Sequence, residues 1–175
     1  MRNNKQKGFS LIELLIVVAI ILIIAAIAIP NLLRSKMAAN EASAVASLRT
    51  LNTTEILFST QCNTLSVDLK SLGPDATTGA APLCDGTGAD LIDAVMAGDI
   101  AAAPTNGTAT TFDKSGYHFI YTPTPAAAPV TSYKITASPV TYNGSGIRGF
   151  YTDQTGVIHA DAVGSTLAAA TDPPL

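Results

Sequence analysis

Glu13 is the residue whose position most demands a chemical explanation. It lies in the stretch Phe9 to Ile29, and from Leu14 to Ile29 that stretch has no polar side chain. A carboxylate in an apolar span costs about 3 kcal/mol at the centre and less near the edge, so it needs a partner. No base lies within helical reach inside the run, and the nearest upstream is Lys7. Two readings stay open: a cationic partner on another chain, or a carboxylate that reaches back to the lipid headgroups. Cys62 and Cys84 come next. An even pair in an exported segment favours a disulfide over two free thiols or half a metal site, since neither Cys-x-x-Cys nor a neighbouring His is present. His118 and His159 are the only histidines. His159 with Asp161 could supply half of a metal or triad site, but Gly-x-Ser-x-Gly and zinc spacings are missing. Asp85, Asp90, Asp93 and Asp99 form a loose acidic series without a calcium-loop register. Catalysis, metal and cofactor are therefore not expected.

The elements that must position these groups follow from composition. Phe9 to Ile29 is 21 residues, roughly 31 Å of helix and close to the hydrocarbon thickness of a bilayer. Arg2, Lys5 and Lys7 precede it without an offsetting acid and place that end in the cytoplasm. Residues 8–175 carry seven basic against thirteen acidic side chains, and no basic cluster follows Lys36, so no nucleic-acid footprint is visible. A cleaved signal peptide, with Ala26-Ile27-Ala28 as its cleavage site, and a plain anchor compete with a retained helix. The apolar run exceeds the usual signal-peptide core of about 7 to 15 residues.

Pro30 should end or kink the helix. Residues 31–60 have no internal Gly or Pro. Val45, Leu48, Leu51 and Phe58 form an apolar stripe that Glu55 interrupts. Residues 62–111 read as loop with a short helix at Ala89 to Met96. Alternation then predicts strands through Tyr117, Phe119 and Tyr121, through Tyr133, Ile135 and Ala137, over Ile147 to Thr152 and over Gly156 to Ala160. Turns at Asn143-Gly144 and Asp153 to Gly156 favour an antiparallel meander of unspecified strand order. Residues 166–175 are expected to be a loose tail. The fold class is α+β: one long N-terminal helix packed on a small antiparallel sheet. Asn52, Asn106 and Asn143 match glycosylation acceptors, a pattern frequent by chance.

Lys7-Gly8-Phe9-Ser10-Leu11-Ile12-Glu13-Leu14-Leu15, the following Val17-Val18-Ala19-Ile20 and Ala26-Ile27-Ala28-Ile29-Pro30 resemble the N-terminus of type IV pilins and pseudopilins. The resemblance covers the first fifth to third of the chain. It implies a leader over 1–8, a transmembrane and filament-core helix over 9–30, an amphipathic second half over 31–61, and a globular head over 62–175. It further implies that a prepilin peptidase cuts between Gly8 and Phe9 and methylates the new Phe9 amine. Gly8 lets a protease approach the backbone. Glu13 would pair with the Phe9 amine of a neighbouring subunit during assembly, and Pro30 would kink the helix rather than end it. The implied partners are copies of the chain itself, the peptidase, membrane lipid and an inner-membrane assembly platform. A separate ATPase is implied because the chain has no phosphate loop. The implied location is the bacterial inner membrane, single pass with a cytoplasmic N-terminus, before assembly, and an extracellular or periplasmic filament after it. Alternatives within the resemblance are a type II secretion pseudopilin and a minor pilin acting as adhesin or DNA-uptake tip. Major pseudopilins carry a C-terminal calcium loop. Asp153 and Asp161 are candidates here, without a convincing match.

Overall fold

The computed structural model describes residues 9–74, 84, 89, 91–97, 110–161 and 168–175. Expectations at Gly8, Asp85, Asp90, Asp99 and Asn106 lie outside them. The chain divides into two compact units, Met1–Lys36 and Met37–Leu175.

Helix α1, Leu11–Cys62, contributes to both units and contains Pro30. In the first unit every large apolar side chain from Phe9 to Leu33 is at least 46% exposed. A helix that is apolar all round and uncovered is suited to lipid or to other copies of itself, not to water. Among the described residues α1 is the one helix long and apolar enough to cross a membrane.

In the second unit five strands follow α1: β1 Thr110–Lys114, β2 Tyr117–Thr124, β3 Ser132–Pro139, β4 Gly149–Asp153 and β5 Ile158–Asp161. They form an antiparallel meander in sequence order. The first hairpin turns at Ser115 and Gly116, both at positive φ (51° and 75°), the two-residue geometry whose twist matches that of paired strands. A side chain at Gly116 would also approach Ser145 Cβ to 2.9 Å. The last hairpin turns at the expected place: Gly156 donates its amide to the Asp153 carbonyl at 2.9 Å, with φ 74°.

The core lies between α1 and one sheet face. Phe112, Tyr117, Phe119, Tyr121, Tyr133, Ile135, Ala137, Phe150, Ile158 and Ala160 supply the sheet side. Ala44, Leu48, Leu51 and Phe58 supply the helix side. Each such large side chain contributes about 1.5–3 kcal/mol by leaving water.

Several expectations need correction. Strand β1 is not among the expected strands, and its first two residues, Thr110 and Thr111, fall in the stretch expected as loop. The strands expected over Ile147 to Thr152 and Gly156 to Ala160 begin two residues later. In place of a helix at Ala89 to Met96, the described residues hold one turn, closed by the Ala97 amide on the Asp93 carbonyl at 3.0 Å. Residues 173–175 are not loose: they pair with β5. Val45 is partly buried, and Ala44 takes the buried position beside it.

Candidate functional site

The first turn of α1 organises the N-terminal residues. Ser10 sits just before the helix, and its carbonyl accepts the Leu14 amide at 3.2 Å. Glu13 folds back so that Oε2 accepts the Ser10 amide at 2.9 Å. This is the carboxylate half of a capping box, and it places negative charge where the helix dipole favours it. The Ser-x-x-Glu spacing in the sequence carries that signal. Phe9 is 78% exposed. Among the described residues Glu13 has no cationic partner in this chain. Pro30 withholds one amide from the helical ladder, so the Ala26 carbonyl loses its usual donor. Arg34 and Lys36 follow on exposed positions.

The second half of α1 is fixed to the sheet by polar links set among the apolar ones. Its buried stripe runs Glu41, Ala44, Leu48, Leu51, Glu55, Phe58. These spacings of three and four keep the six residues on one face. Glu55 therefore belongs to the stripe instead of interrupting it. Its carboxylate is wholly buried. It accepts the Ser66 amide at 3.1 Å and the Ser66 hydroxyl. Tyr121 closes the cluster by donating to the Ser66 carbonyl at 2.8 Å. Burial raises the Glu55 pKa above the ordinary glutamate value, outweighing the hydrogen bonds from Ser66. Burial likewise pushes up the Tyr121 and Tyr133 hydroxyls.

Glu41 shows the opposite balance. Burial raises its pKa, but the Ile147 amide, the Arg148 guanidinium and the Arg148 amide together hold it below the ordinary value. Arg148 reaches both Nε and Nη2 to Glu41 Oε2 at 2.8 Å. Asn40 donates to the Ser145 carbonyl at 2.8 Å, so two helix residues clamp the connection between β3 and β4. Asn52 donates to Thr152 Oγ1 at 2.8 Å and accepts from the Tyr133 hydroxyl at 3.0 Å. It is 6% exposed and so is closed to a glycosylating enzyme in the folded chain. Among the described residues every buried side-chain polar atom has a partner.

The two carboxylates predict a pH signature. A folded pKa raised at Glu55 gives stability that is present below the unfolded value and lost as pH rises through the folded value. A folded pKa lowered at Glu41 gives stability that is present above the unfolded value and lost as pH falls through the folded one. Glu55→Gln keeps an acceptor for Ser66 and removes the charge. Thermal melts of full-length protein in detergent should show the variant gaining on wild type as pH rises from about 4 to 8. A constant difference across that range would contradict the placement of Glu55.

Cys62, the last residue of α1, is joined to Cys84, with Cα atoms 5.3 Å apart. His118 Nδ1 contacts Asp113 across β1 and β2. His159 Nδ1 donates to the Asp172 carbonyl at 2.6 Å. The structure does not join His159 and Asp161 into a triad. Asp153 takes the Thr155 amide at 2.9 Å and the Tyr151 hydroxyl at 3.3 Å, the pattern of a turn-capping residue. Among the described residues no group of three or more His, Cys, Asp or Glu is placed to hold a metal.

Comparison with known proteins bears on the N-terminal region. The family model described as the prokaryotic N-terminal methylation motif matches residues 3–29. The type IV major pilin protein PilA of Myxococcus xanthus is 46% identical over 56 residues, which is 32% of this chain and 26% of that protein. The type IV wide pilus major component PilA4 of Thermus thermophilus is 58% identical over 48 residues, 27% of this chain and 35% of that protein. The chain thus spans about a quarter to a third of the length of these curated relatives. No solved structure matches it. The chain carries the prokaryotic N-terminal methylation motif and, over part of its length, is similar to proteins named as type IV pilins.

Proposed function

We propose that this chain is a structural subunit of a type IV pilus-like filament, not an enzyme. The observation that carries the reading is the conjunction of a methylation motif over residues 3–29 with an uncovered apolar helix that bears a lone carboxylate in its first turn. Cleavage between Gly8 and Phe9 leaves a free amine at Phe9, which the same peptidase methylates. Before assembly, residues 9–30 hold the chain in the inner membrane, with residues 1–8 on the cytoplasmic side. Polymerisation then exchanges lipid for the helices of neighbouring copies. In that exchange Glu13 pairs with the Phe9 ammonium of a neighbour. Where water is excluded, loss of either member of such a pair is strongly destabilising, because it leaves a buried charge uncompensated. Pro30 is the site of a kink in the helix, because it leaves one bond of the helical ladder unmade. A membrane-embedded assembly platform and a separate ATPase supply the work.

The second reading, a type II secretion pseudopilin, shares the N-terminal motif. The pilin reading is favoured because both curated relatives are named as pilus components. Deletion in the host separates the two. Loss of long surface filaments with secretion intact supports the pilin reading. Normal filaments with exported proteins retained in the periplasm would overturn it in favour of the pseudopilin. Normal filaments with lost adhesion or DNA uptake would instead assign a minor tip subunit.

A further inference from the structure

The backbone of residues 173–175 blocks a sheet edge. β5 is the terminal strand, so one of its sides has no strand neighbour in the five-stranded sheet. On β5 the Ala160 amide donates to the Pro173 carbonyl at 3.0 Å, and the Leu175 amide donates to the Ile158 carbonyl at 2.9 Å. The bridge is antiparallel and sets His159 opposite Pro174. In this ladder residues 173 and 175 aim their backbone groups at β5, and residue 174 aims its own groups away. Proline has no N–H. Within residues 173–175, the one position that would offer an outward donor to a further strand is therefore filled by a residue that lacks it. The segment is also held from behind. Asp172 accepts at its carbonyl from His159 Nδ1 at 2.6 Å, and its carboxylate takes the Ala169 amide at 2.7 Å. The Asp172 amide closes the turn on the Ala169 carbonyl at 3.0 Å, and Ala168 is buried.

We infer that residues 168–175 are an edge cap: they occupy in cis the site at which β5 would otherwise accept a strand from a second copy of this chain. An open edge is a template for any extended backbone, and proline at the edge is a known way of closing it. The occupant that fits once the cap is removed is β5 of another copy. A two-fold antiparallel pairing of β5 with itself keeps Ile158 and Ala160 on one face and continues both sheets. The inference stands on the geometry of the sheet and holds whether or not the chain forms pili.

The test uses the full chain in detergent in three forms: wild type, a chain stopped after Ala170, and Pro174→Thr. Sedimentation measures association, and hydrogen exchange reads single amides. The stopped chain should associate at a protein concentration about tenfold lower than wild type, with the Ala160 amide protected only in the associated form. A synthetic peptide of residues 168–175 in excess should return it to wild-type behaviour. Pro174→Thr restores the outward donor without removing the segment. It should also associate more readily, with the amide at position 174 protected on association. Wild-type association curves for both variants would overturn the inference. So would associated forms whose amides at 160 and 174 exchange freely. If the stopped chain loses its near-ultraviolet circular dichroism, Pro174→Thr decides alone, and unchanged association of that variant overturns the edge cap.

Discussion

Replacing Glu13 with leucine is expected to abolish filaments while leaving plentiful, clipped, membrane-held subunit. The second unit, Met37–Leu175, has its own core and its own hydrogen-bonded links and should not sense the change. Insertion of the monomer should become easier, because a carboxylate costing up to about 3 kcal/mol in the apolar span is gone. Assembly should fail, because the Phe9 ammonium of each neighbour then enters an apolar environment unpaired, a loss of about 3 to 5 kcal/mol per contact. The bond from the Ser10 amide to Glu13 adds a control. Glu13→Gln preserves an acceptor at that capping position and removes the charge. It should assemble as poorly as Glu13→Leu if pairing matters, and nearly normally if capping is the whole role. Glu13→Asp keeps the charge with a shorter reach and should be intermediate. Filament yield after shearing is compared with total mature subunit on an immunoblot. Normal yield from Glu13→Leu would exclude the pairing mechanism, and loss of the subunit itself would assign Glu13 to insertion or stability.

The second large effect is expected at the Cys62–Cys84 bond. It ties the end of α1 to a residue 22 positions on. In the chain-entropy treatment, closing a loop of that size restrains the unfolded state by about 3 kcal/mol. Cys62 lies between Glu55 and Ser66 in sequence, so the bond and the Glu55–Ser66–Tyr121 cluster both hold the chain where it leaves α1. The double variant Cys62→Ser, Cys84→Ser should lose about 3 kcal/mol in a denaturant titration of the full chain, and the loss should appear in wild type once reductant is added. A variant as stable as wild type would show that the bond carries no stability. Alkylation of both thiols in native protein without reductant would show that it does not form.

Legibility in the sequence tracked local, periodic features. β2 and β3 were readable because Tyr117, Phe119 and Tyr121, then Tyr133, Ile135 and Ala137, alternate with polar residues and one face is buried. β1 was not, because Thr110–Lys114 has one large apolar residue, Phe112, and owes its form to pairing with β2. Glu55 read as a break in an apolar stripe because its partner Ser66 lies on a different segment, and no period in the helix reveals that pairing. The heptad Glu41, Leu48, Glu55 does carry the signal that both acids face inward. Residues 173–175 looked loose because two prolines suggest a tail, yet backbone bonds to β5 need only one amide and one carbonyl from that segment. At the N-terminus the motif was legible in full, while the bond from the Ser10 amide to Glu13 shows that a carboxylate in an apolar run can also serve its own helix.

The filament assignment rests on what happens at Gly8 and Phe9, and the mass of the N-terminal peptide of the chain purified from its host reads this directly. The expected peptide begins at Phe9 and is one methyl group heavier than the unmodified sequence. A peptide beginning at Ile29 would mean that Ala26-Ile27-Ala28 is a signal-peptide cleavage site and that the apolar half of α1 is gone, and a peptide retaining residues 1–8 would leave a plain membrane anchor; either result contradicts the filament assignment.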